Sequence, residues 1–292
     1  MTDALVHRAR PVHAAASVSP STAQPPLAGR TALSRKLLSG AAVFWFVVAA
    51  GGQAVFVLYI LLLYGASLVS GDLARWSRVM PNGLVSGDTI GNATMIAHVM
   101  IAAMVMLAGA LQLVPALRSR FPRFHHWNGR VYLLTAVVAS LSGLWMVWAR
   151  TEIGSLIQHI GTSINGLLVL VAAALVLRHA MGRRVAAHRR WALRLFMIVN
   201  GVWFFRVGLM FWVAVNGGPV GFDPATFRGP VLELFTFLQY LLPLAMLQAY
   251  FVAQERASPT LRYAVAAMLV ISTVAMAIGI GVATLGMWLP HM

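Results

Sequence analysis

The stretch TMIAHVMIAAMVMLAGALQLVPAL, residues 94–117, decides the fold class of this chain. It contains no Asp, Glu, Lys or Arg, and as a helix it is about 36 Å long, enough to cross the roughly 30 Å hydrocarbon core of a bilayer. Lipid cannot satisfy exposed backbone N–H and C=O groups, and the run is too long for a barrel strand. We therefore predict a transmembrane helix, with His98 about one turn inside it.

Six further apolar runs extend this pattern to about seven spans. The chain has 292 residues, of which 60% are hydrophobic and 10% charged, a composition that excludes an ordinary soluble protein. The predicted fold class is all-α: a polytopic membrane protein of about seven transmembrane helices, in which helices 2–5 form a core four-helix bundle. The six further runs are 42–68, 128–148, 155–177, 191–215, 231–252 and 263–289.

The net charge of +15 is distributed very unevenly along the chain. One side holds five basic residues before the first span, four at the second–third connection, six at the fourth–fifth and two at the sixth–seventh, whereas the other side holds four. This positive-inside asymmetry predicts a multi-pass protein of the bacterial inner (plasma) membrane with a cytoplasmic N-terminus and a periplasmic C-terminus. The basic charge is thereby explained by topology, so we expect the lipid bilayer as a partner and no nucleic acid.

The chain divides into two parts by composition. Residues 1–36 are rich in Ala, Ser, Pro, Thr and Arg without apolar periodicity, which predicts a disordered basic cytoplasmic tail. Residues 37–292 then form the transmembrane helical domain. The sequence has no cysteine, which excludes disulfides, thiolate metal sites and iron–sulfur clusters.

Four consecutive hydrophobic segments each carry a histidine. His98 and His159 lie about one turn inside the segments that start near the outer face, while His125 and His188 lie at segment starts near the inner face. Alternation of chain direction therefore predicts two pairs, His98 with His159 and His125 with His188, at two depths. Histidine is rare within membranes and serves as a metal or haem ligand in many of the cases where it occurs.

Two stacked histidine pairs fit a two-haem electron carrier. A b-type haem takes one neutral imidazole on each side of its iron, and basic side chains pair with its propionates. The hypothesis is transmembrane electron transfer through haem b by a cytochrome b-like redox component, with quinone or a redox protein as partner. Arg130 and Arg194 are the predicted cofactor-binding arginines. The sequence does not define an oligomeric state.

Other interpretations fit the same residues. Histidines at an interface also contact lipid phosphates or cap helix ends, and a buried histidine also bonds a neighbouring helix. The first alternative function is a membrane transporter or a small-molecule binding protein without haem, which the absence of obvious broken helices in the sequence disfavours. The second alternative is a membrane scaffold.

Arg206 lies deep in the fifth span, where a charged side chain is costly and is usually paired or functional. Glu233 lies just inside the sixth span on the same predicted side. We therefore predict a structural ion pair between Arg206 and Glu233. Gln112 and Asn200 are the other polar residues of these spans that we expect to join helices.

Two motifs carry a resemblance to a known family. The first runs from His98 through Gln112, Pro115 and Arg118 to His125-His126-Trp127-Asn128-Gly129-Arg130-Val131-Tyr132, and the second is His188-Arg189-Arg190-Trp191 with Arg194. Over roughly residues 90–215 the chain resembles the bacterial predicted membrane proteins grouped as domain of unknown function 2306. That family typically has an early histidine, a glutamine near the helix end and a His-Arg-Trp-x-Gly-Arg-x-Tyr-like run.

The resemblance implies which of two adjacent histidines matters. His125 falls on the histidine of the family's run, and His126 stands where the family usually has arginine. The arrangement also looks like cytochrome b-561-type two-haem bundles, in which histidines of the first and third core helices pair, as do those of the second and fourth. Because fold analogy does not establish function, the haem assignment depends on geometry.

Overall fold

The structure, a computed structural model, describes residues 26–79, 83–150 and 154–292, and all regular structure among them is helical. Two short π-helical segments, Ile60–Gly65 and Thr284–Trp288, and a 3₁₀ turn, Leu289–His291, extend the first and last helices. The α-helices in chain order are α1 (Pro26–Tyr59), α2 (Ala66–Ser70), α3 (Ala74–Val79), α4 (Thr89–Leu113), α5 (Pro115–Arg120), α6 (Pro122–Ala149), α7 (Leu156–Met181), α8 (Val185–Val199), α9 (Gly201–Asn216), α10 (Pro230–Glu255) and α11 (Pro259–Ala283).

The helices of the described residues confirm an all-α polytopic membrane protein. Six helical runs are long and apolar enough to cross a membrane, and α8 with α9 adds a seventh if the two are one span. The six runs are Thr31–Ser70, Thr89–Leu113, Pro122–Ala149, Leu156–Met181, Pro230–Glu255 and Pro259–His291.

The predicted fifth span, 191–215, is broken rather than straight. α8 and α9 meet at Asn200 with a bend of 53°. The Asn200 amide donates to the Phe196 carbonyl over 2.8 Å, and Gly201 lies tightly against Asn165 of α7. A side chain that bonds the local backbone and a glycine that permits close approach both favour such a break. Asn200 therefore bends its own helix, whereas we predicted that it joins two helices.

The first helix starts earlier than the sequence predicted. Residues 1–25 of the predicted tail lie outside the described residues, but α1 begins at Pro26, so residues 26–36 are helical. Proline suits the first helical turn, and within this segment Ser34 is fully buried and donates to the Thr31 carbonyl. The first helix thus extends beyond the apolar run into residues 26–36 of the predicted tail.

Two buried clusters hold the helices together. The larger cluster joins α1 and α11 to parts of α4, α8, α9 and α10. The second, which we call the core cluster, joins α4, α6, α7 and α8 around Tyr132 and Leu195, with Tyr240 of α10 added. Spans two to five therefore pack together as predicted, and the sixth shares their core. At Gly109 a Cβ would meet the Tyr132 ring at 2.9 Å, so close packing here requires glycine.

The two ends of the bundle differ in charge. The end that we call the basic end holds α5, the α7–α8 turn and the α10–α11 turn, where most arginines lie. The opposite end holds α3 and the loops before α4, α7 and α10. There Arg150 forms an ion pair with Asp88 over 3.1 Å and donates to the carbonyls of Gly83 and Gly91, which ties the end of α6 to the start of α4.

Candidate functional site

The structure places His125 and His188 at the same end of the bundle, the basic end. His125 lies in the first turn of α6 and His188 in the first turn of α8, close enough for His188 to act electrostatically on His125. His125 is seven residues before Tyr132 and His188 seven before Leu195, so each histidine shares a helix face with a residue of the core cluster. Both imidazoles therefore lie at the basic-end edge of that cluster.

The His188 ring is held by the backbone of α7. Its Nδ1 lies 3.1 Å from the carbonyl oxygen of Val176, which can only accept a hydrogen bond. Nδ1 therefore carries the ring proton, and the lone pair is on Nε2. Histidines that bind metals are commonly oriented in this way, with one nitrogen donating to a carbonyl and the other directed to the metal.

His125 is fixed by its backbone, and its ring has an unused polar atom. Gln112 donates its amide to the His125 carbonyl over 2.8 Å, and Asn128 donates to the Ala108 carbonyl over 2.8 Å, so two bonds tie α6 to α4. Nδ1 of His125 is buried without a hydrogen-bond partner. The neighbouring His126 ring, 6.1 Å away, is exposed, which favours His125 as the site residue.

The two arginines predicted to bind the cofactor have other contacts. The guanidinium of Arg130 lies 4.9 Å from the centre of the Trp127 ring, and that of Arg194 lies 4.9 Å from the Trp191 ring. Arg194 also donates to Gln248 of α10 over 3.1 Å. The two Trp-x-x-Arg elements thus form the same cation–π pair at the basic end.

Arg118 is the cation that sequence reasoning did not assign to this site. It is exposed on α5, and its charge acts on His125. Its position in the loop between the second and third spans was the available signal, but nothing in the sequence showed that α5 folds back over the start of α6.

His98 is bonded to α6 in the opposite half of the bundle. Its Nδ1 lies 2.9 Å from the hydroxyl oxygen of Ser142, and that hydroxyl donates its proton to the Val138 carbonyl over 2.8 Å. Ser142 therefore accepts from Nδ1–H of His98. The ring also fits against Gly143, where a Cβ would lie 3.2 Å from Cε1.

His159 lies against another side of the same helix. Its ring packs edge-on to Trp148, with ring centres 5.9 Å apart. On an α-helix, the directions of Ser142 and Gly143 differ from that of Trp148 by at least about 120°. These two ring contacts thus place His98 and His159 against different sides of α6.

The predicted Arg206–Glu233 pair is not formed among the described residues. Their ion pairs are Arg150–Asp88 and Arg190–Glu255. Arg206 instead turns towards α1, with its guanidinium 5.6 Å from the centre of the Phe56 ring and a long hydrogen bond of 3.4 Å to the Val202 carbonyl. Glu233 lies in the first turn of α10, where the helix dipole stabilises a carboxylate. The predicted pair rests on the spacing of spans, which gives the depth of a side chain but not its direction around the helix axis.

The side chains available to ligate a metal ion limit the chemistry of the site. Within the described residues, no three or more His, Cys, Asp or Glu side chains are grouped to hold a metal ion. A three-ligand site of the zinc type is therefore not formed in this part of the chain. Two imidazoles from different helices are the ligands of a six-coordinate haem, with the porphyrin supplying the other four nitrogens.

Comparison with known proteins supports the family assignment. Residues 95–226 match the model of a family described as a predicted membrane protein (DUF2306), which confirms the resemblance drawn from the motifs. The match extends from α4 to the loop after α9 and includes His98, His125, His159 and His188. No curated protein and no solved structure matches the chain.

Proposed function

We propose that the matched region binds one b-type haem between His125 and His188 and carries electrons in the membrane. The observation that carries the proposal is the placement of both imidazoles at the basic end, each two turns before a residue of the core cluster. Haem supplies reversible one-electron transfer at its iron when it is bound by two histidines. The proposal is limited to one haem because His98 and His159 lie on different sides of α6.

The two histidines have the chemistry that this role requires. His188 has its ring proton directed to Val176, so Nε2 is free to bind iron. The buried Nδ1 of His125 without a partner marks a polar site that protein groups leave unsatisfied. Arg118, and not Arg130 or Arg194, is the proposed partner of a propionate.

The arginines suggest where electrons enter. We propose that the basic end faces the cytoplasm of a bacterial inner membrane, as the positive-inside rule predicts. An anionic redox protein would then be attracted to the exposed side chains of Arg118, Arg183 and Arg184, or a quinone would reach the haem from the lipid. The redox partner is therefore sought on the cytoplasmic side.

Absorption spectroscopy tests the haem directly. The full chain is expressed with a haem precursor, purified in detergent and measured in oxidised and reduced states. We expect sharp bands in the reduced-minus-oxidised spectrum of the wild type and of His126→Ala, and at least a tenfold loss of bound haem in His125→Ala. A colourless wild type, or a His125→Ala variant that keeps its haem while His126→Ala loses it, would contradict the proposal.

A second candidate function, transport, is favoured by the break at Asn200. Discontinuous helices near the middle of the bilayer form the substrate sites of many transporters, and the 53° bend lies between two helices of the matched region. Under this proposal the histidines are proton sites. Vesicles containing the chain and a pH-sensitive dye would then lose an imposed pH gradient faster than vesicles containing His98→Ala. Equal rates for the two would remove this candidate.

A further inference from the structure

A cluster of aromatic side chains surrounds Arg206 in the opposite half of the bundle. We call Arg206, Phe56, Tyr59, Tyr64, Trp76 and Trp288 the donor cluster. Its ring centres are 4.9 Å apart for Phe56–Trp288, 5.8 Å for Tyr59–Tyr64 and 4.6 Å for Tyr64–Trp76. Arg206 lies over Phe56 and acts electrostatically on both tyrosines. Residues from the first helix, α3, α9 and the end of the last helix therefore meet in one cluster with one cation.

Several hydrogen-bond donors of the cluster have no acceptor. Trp76 and Trp288 are both 0% exposed, and neither indole N–H has a partner. Tyr59 and Tyr64 bond to each other, which leaves one of the two hydroxyl protons free to donate. An indole N–H and a guanidinium cannot accept hydrogen bonds, so these groups cannot satisfy one another. Buried donors without acceptors are uncommon in native proteins and indicate a missing partner.

The charge of Arg206 is also uncompensated. Among the described residues no carboxylate forms an ion pair with it, and its one acceptor there is the carbonyl of Val202 at 3.4 Å. A charged side chain inside a membrane span is costly without a counter-charge. The missing partner is therefore expected to be negatively charged as well as an acceptor.

The backbone of the cluster is unusual. Tyr64 belongs to the π-helical segment Ile60–Gly65, and Trp288 belongs to the other, Thr284–Trp288. π-helical segments are rare, and many of them lie at functional sites. A pocket of about 220 Å³ lies beside both segments, and its lining includes Leu63, Arg75 and His291. Leu63 directly precedes Tyr64, and Arg75 directly precedes Trp76, so the pocket adjoins the donor cluster on the side of the opposite end.

We propose that the donor cluster binds a small monovalent anion, which enters through this pocket. Arg206 supplies the counter-charge, and the tyrosine and indole groups donate hydrogen bonds. A single cation compensates a single negative charge. The close ring contacts around the cluster favour a small anion over a large organic acid. This site is separate from the histidine pair, and the inference does not depend on haem.

Thermal unfolding of the purified full chain tests the site, with chloride as the probe. Chloride replaces gluconate at constant ionic strength, and tryptophan fluorescence reports the midpoint. We expect a saturable rise of the midpoint with chloride, because a ligand that binds only the folded state stabilises it. Arg206→Gln should weaken apparent chloride affinity about ten- to a hundredfold, from the loss of a charge-assisted hydrogen bond. Arg228→Gln, which removes an exposed cation at the same end, should behave as the wild type.

Two further variants keep the test decisive if Arg206→Gln does not fold. Arg206→Lys keeps the charge and should retain saturable binding, and Tyr64→Phe removes one donor and should weaken affinity several-fold. A wild-type midpoint that does not respond to chloride, or an equal response in Arg206→Gln and Arg228→Gln, would overturn the proposal. Unchanged affinity in Tyr64→Phe would remove the hydroxyl from the site and contradict the proposed donor set.

Discussion

The two halves of the bundle treat their polar residues differently. At the basic end, Gln112 and Asn128 donate to carbonyls of a neighbouring helix, His188 contacts the Val176 carbonyl, and most arginines are exposed. In the opposite half, Arg206 and two indole N–H groups are enclosed with almost no acceptors. Among the described residues, the buried nitrogens without a partner at the basic end include one atom each of His125, His179 and Arg262, whereas in the opposite half the unpartnered indole N–H groups of Trp76 and Trp288 belong to the same cluster as an uncompensated cation. The difference predicts two kinds of site, a two-histidine site and an anion site.

The largest expected effect distinguishes the two histidine pairs. His188→Ala should lower bound haem at least tenfold, because one of the two iron ligands is lost. His159→Ala should leave haem content within about twofold of the wild type, since its ring packs on Trp148, on another side of α6 from His98. The pyridine–haem absorbance per mole of purified protein measures both.

A matched control separates ligation from folding. His98→Ala removes a histidine that is bonded to Ser142, as His188 is bonded to Val176, so the two changes remove one hydrogen bond each. If His98→Ala and His188→Ala lose haem equally, the inner pair has no special role and the one-haem proposal fails.

The features that sequence analysis predicted correctly depend on composition and periodicity. Uninterrupted apolar runs predicted the spans, and Gln112 was correctly expected to join helices. Alternating chain direction fixes depth, and it predicts that His125 and His188 share one end of the bundle. Depth alone does not fix the direction of a side chain around the helix axis. Because this direction is not fixed by the sequence pattern, the pattern did not show that His159 lies on another side of α6 from His98.

Other features depend on long-range packing that a single sequence does not show. Arg206 turns to Phe56 of α1, although Glu233 is nearer in sequence. The break at Asn200 depends on two contacts together: the asparagine bonds the preceding turn of its own helix, and the adjacent glycine packs on Asn165. The aromatic residues around Arg206 come from segments at both ends of the chain, so sequence proximity gave no indication of the donor cluster.

The second prediction compares one ion pair from each end. Arg150→Met should destabilise the fold by about 2–4 kcal/mol, because the Arg150 side chain is only 6% exposed and its loss removes the ion-pair partner of Asp88 and the donor to two carbonyls. Arg190→Met should cost less than about 1 kcal/mol, because both Arg190 and Glu255 are largely exposed. Denaturant titration of the protein in lipid–detergent micelles measures both free energies of unfolding. Equal losses would show that the opposite end is not tied by Arg150.

The third prediction concerns two single hydrogen bonds between helices. Gln112→Met removes the bond to the His125 carbonyl at the basic end, and Ser140→Ala removes a 2.7 Å bond to the Gly166 carbonyl nearer the opposite end. Each change should cost about 0.5–1 kcal/mol. The double variant should show the sum, since the two bonds are far apart and share no partner. A clear departure from additivity in the same titration would show that the two halves are energetically linked.

The smallest expected effect is a change in the pKa of Asp223. Its carboxylate lies in a loop at the opposite end and accepts hydrogen bonds from protein groups. The Thr226 hydroxyl donates to its carboxylate over 2.8 Å and the Ala225 N–H over 2.9 Å, and these bonds lower the pKa of Asp223 below its usual value of 3.8. Because the folded-state pKa is depressed, the stabilisation is complete above the unfolded pKa and is lost as the pH falls through the folded pKa. Thr226→Val should raise the pKa of Asp223 towards the usual value, and Thr226→Ser should not. Carbon NMR of labelled aspartate carboxyls measures the shift, and an unchanged pKa in Thr226→Val would show that the backbone donor alone sets it.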